Sequence, residues 1–252
     1  MNAVPSDLTP RVWPAMLTWR AQDISRMESV RVQLSGKRIR ANGRIVAAAT
    51  ANNPAFGAHY DLQTDETGAT KRFGLTVTLA ERERQLAIAR DEENMWLVTD
   101  HQGERRAAYN GALDIDLVFS PFFNALPIRR LGLHERAESI ALPVVYVNVP
   151  EMSVDAATVS YTSEGRLDGI KLRSPVADTT VTVDSDGFIV DYQAWQSGCN
   201  PVSYTHLRAH ETRHDLVCRL LLEKKKKHKT KNKKKKINNK KIKKQTQTNE
   251  TY

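Results

Sequence analysis

Hydrophobic and polar residues alternate along most of the chain. Val30, Val32 and Leu34 are interleaved with Arg31 and Gln33, Phe73, Leu75, Val77 and Leu79 with Gly74, Thr76 and Thr78, and Leu113, Ile115 and Leu117 with Asp114 and Asp116. A period of two sends successive side chains to opposite faces, so one side of each segment meets a core and the other meets solvent or a lumen. The same alternation runs over Val144 to Val149, Ala157 to Thr162, Leu167 to Arg173, Thr179 to Asp184 and Phe188 to Tyr192. Turn formers separate the segments, notably Ala41-Asn42-Gly43, Ser163-Glu164-Gly165 and Asp184-Ser185-Asp186-Gly187. Together they predict a long antiparallel meander.

Leu79 to Glu93 differs in composition, since Glu81, Arg82, Glu83, Leu86 and Ala87 are good helix formers. Its apolar residues nevertheless alternate and form no broad helical stripe, which predicts a hairpin: Gln85 to Arg90, a turn at Asp91 to Asn94, then Met95 to Thr99. The expected fold class is all-β, an antiparallel rolled or barrel-like sheet of roughly a dozen strands with little helix.

One stretch, Gly111 to Leu133, reads as a strand ending at Ser120 followed by an extended loop bounded by Pro121 and Pro127. Each proline removes a donor and disfavours the α conformation in its predecessor. Between them lie Phe122, Phe123 and Leu126, with Asn124 as a turn former, and then Arg129 and Arg130. A loop this apolar must be covered by the protein or lie under a ligand.

Composition changes the picture only after the chain is divided. The 252 residues carry 38 Lys and Arg against 29 Asp and Glu, a net charge of +9, which on its own suggests a polyanion partner. From Val202 to Tyr252, however, 14 Lys and 3 Arg face 4 acidic residues, leaving 21 basic and 25 acidic residues upstream and a charge of −4 there. That upstream part is of a size for one domain, taken as residues 1–200. Its only cysteine is Cys199, which excludes an intradomain disulfide or a thiolate zinc site and suits a reducing, cytoplasmic setting. Asn2, Pro5, Asp7, Pro10 and Arg11 interrupt any apolar run fit for a signal peptide, and no segment approaches the ~18–20 apolar residues of a membrane span.

Residues 201–252 look foreign to that domain. Val202 to Thr212 back-translates to a stretch resembling a transposase-library adapter, and Asp215 to Glu223 fits the flow-cell adapter that follows in the same frame. Beyond Glu223 nearly all residues have A-rich codons. The segment is therefore expected to be a disordered, Lys-rich read-through of a sequencing adapter. The helix-like spacing of His206, His210 and His214 is discarded with it. A nucleic-acid arm is disfavoured, because Lys224 to Lys244 contains no Arg, Gly or aromatic residue for stacking.

The Gly111 to Leu133 stretch also carries a resemblance. Asp114, Asp116, Leu117, Ser120, Pro121, Phe122, Asn124, Leu126, Pro127, Ile128, Arg129, Arg130 and Leu131 match the hallmark of the putative glycolipid-binding, or spiral β-roll, family. Trp19-Arg20, Ala41-Asn42-Gly43, Tyr60, Val144 to Pro150, Ser160-Tyr161-Thr162 and Val183 to Tyr192 follow in order, so the resemblance spans about residues 18–195. It implies a rolled antiparallel sheet similar to those of bacterial lipoprotein carriers and mycobacterial lipid carriers, and an amphiphilic ligand such as a glycolipid. Shape alone does not establish that function.

Three functional readings stay open. In the first, a non-enzymatic carrier, Trp19, Tyr60, Phe73, Trp96, Phe122, Phe123 and Tyr161 wall a cavity while Arg129 or Arg130 meets a polar headgroup. The bland version is that these aromatic residues simply fill the core. In the second, exposed sheet edges or the Phe122 to Leu131 loop mediate protein contacts, including a homodimer. In the third, Asp114 and Asp116 act as a hydrolase's acid and base, being same-face neighbours ~7 Å apart. Against the third, Asp114 and Asp116 facing Arg129 and Arg130 suit ion pairs that fix the loop to the strand. Pro121, Asn124 and Pro127 are expected to shape that loop. No histidine is placed for catalysis, and no phosphate loop, nucleophile elbow, cofactor motif or metal-ligand spacing is present.

Overall fold

The computed structural model describes residues 12–21, 25–194 and 204–206, all within a unit that runs from Met1 to Ala209. The Lys-rich segment from His210 onward lies outside the described residues.

Alternation is realised as strands. The first half is an up-and-down meander of β1 (Ala15–Ala21), β2 (Arg26–Ser35), β3 (Arg38–Ala47), β4 (Phe56–Thr64), β5 (Thr70–Thr78), β6 (Glu83–Arg90), β7 (Trp96–Asp100) and β8 (Gly103–Ala107). A 3-10 turn at Tyr109–Gly111 leads into β9 (Asp114–Leu117) and α1 (Pro121–Leu131). The second half contains β10 (Ala137–Val147), β11 (Val154–Glu164), β12 (Asp168–Arg173), β13 (Asp178–Val183), β14 (Ile189–Ala194) and the short β15 (Tyr204–His206). The strand order is β8 to β1, then β15, then β14 to β9. Every pairing is antiparallel except β9 with β10, so the all-β rolled sheet predicted from alternation is what forms.

The expected hairpin over Leu79 to Glu93 is present as β6 and β7. Its turn is tied by the Asp91 carboxylate, which accepts from the amides of Glu93 and Met95. Asp184 to Gly187 is likewise a turn, with the Asp184 side chain accepting from the amides of Asp186 and Phe188. Residues 204–206 form β15 between β1 and β14.

Two expectations are corrected. Ala41-Asn42-Gly43 is no turn but the middle of β3, and the chain reverses earlier, at Gly36 with φ +61° and Lys37. Gly43 is needed for a different reason: Tyr60 lies directly across from it, and a Cβ there would sit 2.0 Å from the tyrosine ring.

The second correction concerns Pro121 to Leu131, which is a helix and not an extended loop. Pro121 stands at the start, where its missing amide is an orphan anyway and its fixed φ suits the first turn. Pro127 forfeits only the hydrogen bond to the carbonyl four residues back. Gly132 ends the helix in the left-handed conformation, with the Leu133 amide returning to the Ile128 carbonyl. All residues from Pro121 to Ile128 are buried, so this is a core helix, apolar over that span except for Asn124. The sheet wraps it, and long-range bonds hold the roll: Trp19 Nε1 donates to the Ile189 carbonyl at 2.9 Å, and the Thr70 amide donates to the Leu113 carbonyl at 2.9 Å.

Candidate functional site

The roll has an aromatic interior and a polar cleft at the start of α1. In the interior, Phe122 and Phe123 of α1 meet at 5.5 Å, edge to face, and Phe123 lies 5.1 Å from Tyr60 and 5.5 Å from Phe73. Phe122 stacks on Phe188 at 6.3 Å. Trp19, Tyr60, Phe73, Trp96, Phe122, Phe123 and Tyr161 are each at most 2 % exposed. The structure thus gathers Tyr60, Phe73, Phe122 and Phe123 into one cluster whose faces cover one another. Trp96 stands apart, donating from Nε1 to the Ala112 carbonyl, and Trp19 is held by Ile189.

Buried charge surrounds the first turn of α1. Glu28 on β2 is fully buried, its Oε1 accepts from the Tyr60 hydroxyl and the Ser120 hydroxyl, each at 2.5 Å, and its carboxyl also interacts with the Phe122 amide. A carboxyl from a distant strand thereby satisfies an orphan amide of the helix N-terminus. Loss of solvent outweighs these donors and pushes the Glu28 carboxyl up to about 7. Arg26, two residues earlier on the same face, stacks its guanidinium 3.9 Å over the Phe119 ring.

On β9, period two puts Asp114 and Asp116 on one face, opposite Val144 and Tyr146 of β10. Their surroundings differ. Asp114 is buried and receives Arg130 Nη2 at 2.6 Å. Burial pushes its carboxyl up, and Arg130 offsets that only in part. Asp116 takes no hydrogen bond from any described residue and borders a cleft of about 100 Å³. Desolvation alone lifts its carboxyl to about 7. The Tyr146 hydroxyl lines the same cleft and has no partner either. Burial raises it above the usual phenol range, and the Asp116 charge adds to that.

The cleft has a polar base and an apolar lip. Ser120 and Asn124 join Asp116 and Tyr146 at the base, and Asn124 is oriented by the Tyr161 hydroxyl at 3.3 Å and by Tyr192 at 3.5 Å. Phe119, in the left-handed region at φ +74°, swings its ring to the lip beside Pro121 and the exposed Val176. Of the residues singled out from sequence, Asp116, Pro121 and Asn124 border this cleft. Arg130 is committed to Asp114, and Arg129 lies 4.6 Å over the Phe188 ring on another side of α1. Pro127 is inside the helix.

Sequence reasoning missed Glu28, Arg26, Tyr146 and Tyr192. A signal was available for three of them. Arg26 and Glu28 continue the inward parity of Val30 and Val32, and Tyr146 continues that of Val144. Among the described residues no three His, Cys, Asp or Glu side chains are grouped to hold a metal, and no helix is long and apolar enough to cross a membrane.

A rolled antiparallel sheet wrapped on a buried helix, with one polar cleft at the helix start, defines the class of protein. The chain belongs to the putative glycolipid-binding family, whose model matches residues 16–197. It is also similar to the crystal structure of a DUF1089-family protein from Pseudomonas aeruginosa, at 21 % identity and a TM-score of 0.55, over 75 % of this chain and 100 % of that one. That likeness shows the fold alone. No curated protein matches the chain.

Proposed function

We propose that the protein is a non-enzymatic binding protein for an amphiphilic, glycolipid-like ligand, and that the polar head of this ligand enters the cleft at the start of α1. The reading is carried by Asp116 and Tyr146, whose carboxyl and hydroxyl line the cleft with no hydrogen-bond partner among the described residues. Unmatched polar groups at a cavity lined partly by apolar side chains are what a ligand with hydroxyls and an apolar neighbour satisfies. The carboxylate accepts from sugar hydroxyls, the phenol donates, and Phe119 and Val176 receive the first methylenes of the tail. The aromatic cluster of Tyr60, Phe122 and Phe123 then supports the wall from behind. A paired acid and base is disfavoured because Asp114 is occupied by Arg130. The cytoplasmic setting expected from the cysteine count belongs to the same reading.

The test is a titration with octyl glucoside below its micelle threshold, followed by amide NMR shifts, together with native mass spectrometry of protein isolated from its host. Saturable shifts at Ser120, Asn124 and Tyr146 that vanish in Asp116→Asn are expected. Shifts confined to other regions, or unchanged binding by Asp116→Asn, would rule the cleft out.

A further inference from the structure

The outward face of β3 to β6 carries a second concavity, remote in chemistry from the cleft. Register aligns two rows of outward side chains across these strands. One row is Arg40, Gln63, Arg72 and Ala89, and the next is Asn42, Asp61, Gly74 and Ala87. Where the second row reaches β5 and β6 it holds only a glycine and an alanine, so the sheet surface is bare between longer side chains. The result is an open groove of about 680 Å³, inside the range of small-molecule sites. A Cβ built on Gly74 meets nothing within 4 Å. The inward neighbours Leu62, Phe73 and Ile88 belong to the core and separate the groove from the interior.

The lining has a definite chemistry. Arg40 and Arg72 are exposed on either side of Gln63, two strand spacings or about 10 Å apart. Neither has a hydrogen bond or ion pair with another described residue, although the body as a whole is acidic. Two such guanidiniums flanking an amide attract an anionic group and accept it in planar, bidentate fashion. Beside them Asp61 accepts from the Asn42 amide and keeps a second oxygen for a hydroxyl donor. Gly74, Ala87 and Ala89 form a low floor over which a saccharide ring can lie. An acyl chain finds little there, because the floor is methyl groups open to water.

We propose that this groove is a second binding site, for an anionic saccharide whose charged group lies between Arg40 and Arg72 and whose hydroxyls meet Asp61, Asn42 and Gln63. It does not depend on the cleft reading, since no residue is shared.

The probes are trigalacturonate, neutral maltotriose and inorganic phosphate, each titrated into the full chain while amide shifts are followed. Trigalacturonate is expected to give saturable shifts at Asp61, Gly74 and Ala87, with the other two binding at least about tenfold more weakly. Gly74→Ile builds into the groove from a Cβ position that meets no protein atom within 4 Å, and a β-branched residue suits a strand, so the variant is expected to fold and to lose binding by about tenfold or more. Arg40→Gln with Arg72→Gln is expected to do the same by removing charge. The proposal fails if trigalacturonate gives no saturable shift up to about 10 mM, if either variant binds like the parent, or if phosphate alone matches trigalacturonate. Thermal melts of both variants separate loss of binding from loss of fold.

Discussion

Two positions of β9 present the same side chain to opposite surroundings. At Asp114 the interior closes around an ion pair with Arg130, and at Asp116, two residues on, it opens to a cleft where no described residue supplies a hydrogen bond. The difference separates structural from functional polarity. A buried charge that is matched by the protein fixes one segment to another, whereas one left unmatched at a cavity is, on the proposed reading, a cost the fold carries for a ligand.

The sharpest way to break this contrast is at its structural end. Asp114→Asn leaves the Arg130 guanidinium without its carboxylate, and is expected to cost about 3 kcal/mol in denaturant unfolding. Removing both partners with Asp114→Leu and Arg130→Met is expected to recover most of that loss, because neither charge is then buried alone. If the single substitution proves neutral, the ion pair does not anchor α1.

At the other end the sign reverses. The Asp116 carboxyl is raised from 3.8 to about 7 in the folded protein, so between about pH 4 and 7 the unfolded chain holds fewer protons than the folded one. Stability therefore falls as pH rises through that window and levels off above it. Asp116→Asn is expected to gain about 2 kcal/mol at pH 8, nothing at pH 4, and to flatten the pH profile by one proton. A slope from Glu28, raised from 4.5 to about 7, should persist in that variant over about pH 4.5 to 7. Denaturant melts at a series of pH values measure both. Loss of stability at pH 8 in Asp116→Asn would show that the carboxylate has a partner in the folded protein.

The smallest effect belongs to Tyr146→Phe. Its hydroxyl makes no bond in the structure, so stability is expected to change by less than about 1 kcal/mol, in the stabilising direction. The octyl glucoside shifts should weaken at the same time. A destabilised variant with normal binding would place this tyrosine with the structural group.

Much of the fold was legible because one rule governs most of it. Inward positions such as Val30, Val32, Phe73, Leu75 and Val77 alternate without interruption, and the Asp91 and Asp184 turns bear side chains that bond their own backbone. Reading stopped where two local rules competed. Pro121 and Pro127 argue for an extended loop, yet burial of every residue from Pro121 to Ile128 outweighs one lost hydrogen bond. Asn42-Gly43 has turn composition, but Gly43 is there to admit the Tyr60 ring. The candidate site was legible only in part, through Asp116 and Asn124. Its remaining members include residues of β2, β10, β13 and β14, and the roll alone brings those strands to one place.

The bond between Trp19 and Ile189 joins positions 170 residues apart, and α1 follows nine strands in the chain. A nascent chain holding β1 to β8 therefore shows its entire apolar face to the surroundings, with no helix to cover it. Such non-local topology folds slowly. During synthesis, the first hundred residues form a sticky half-product that needs shelter until the second half arrives.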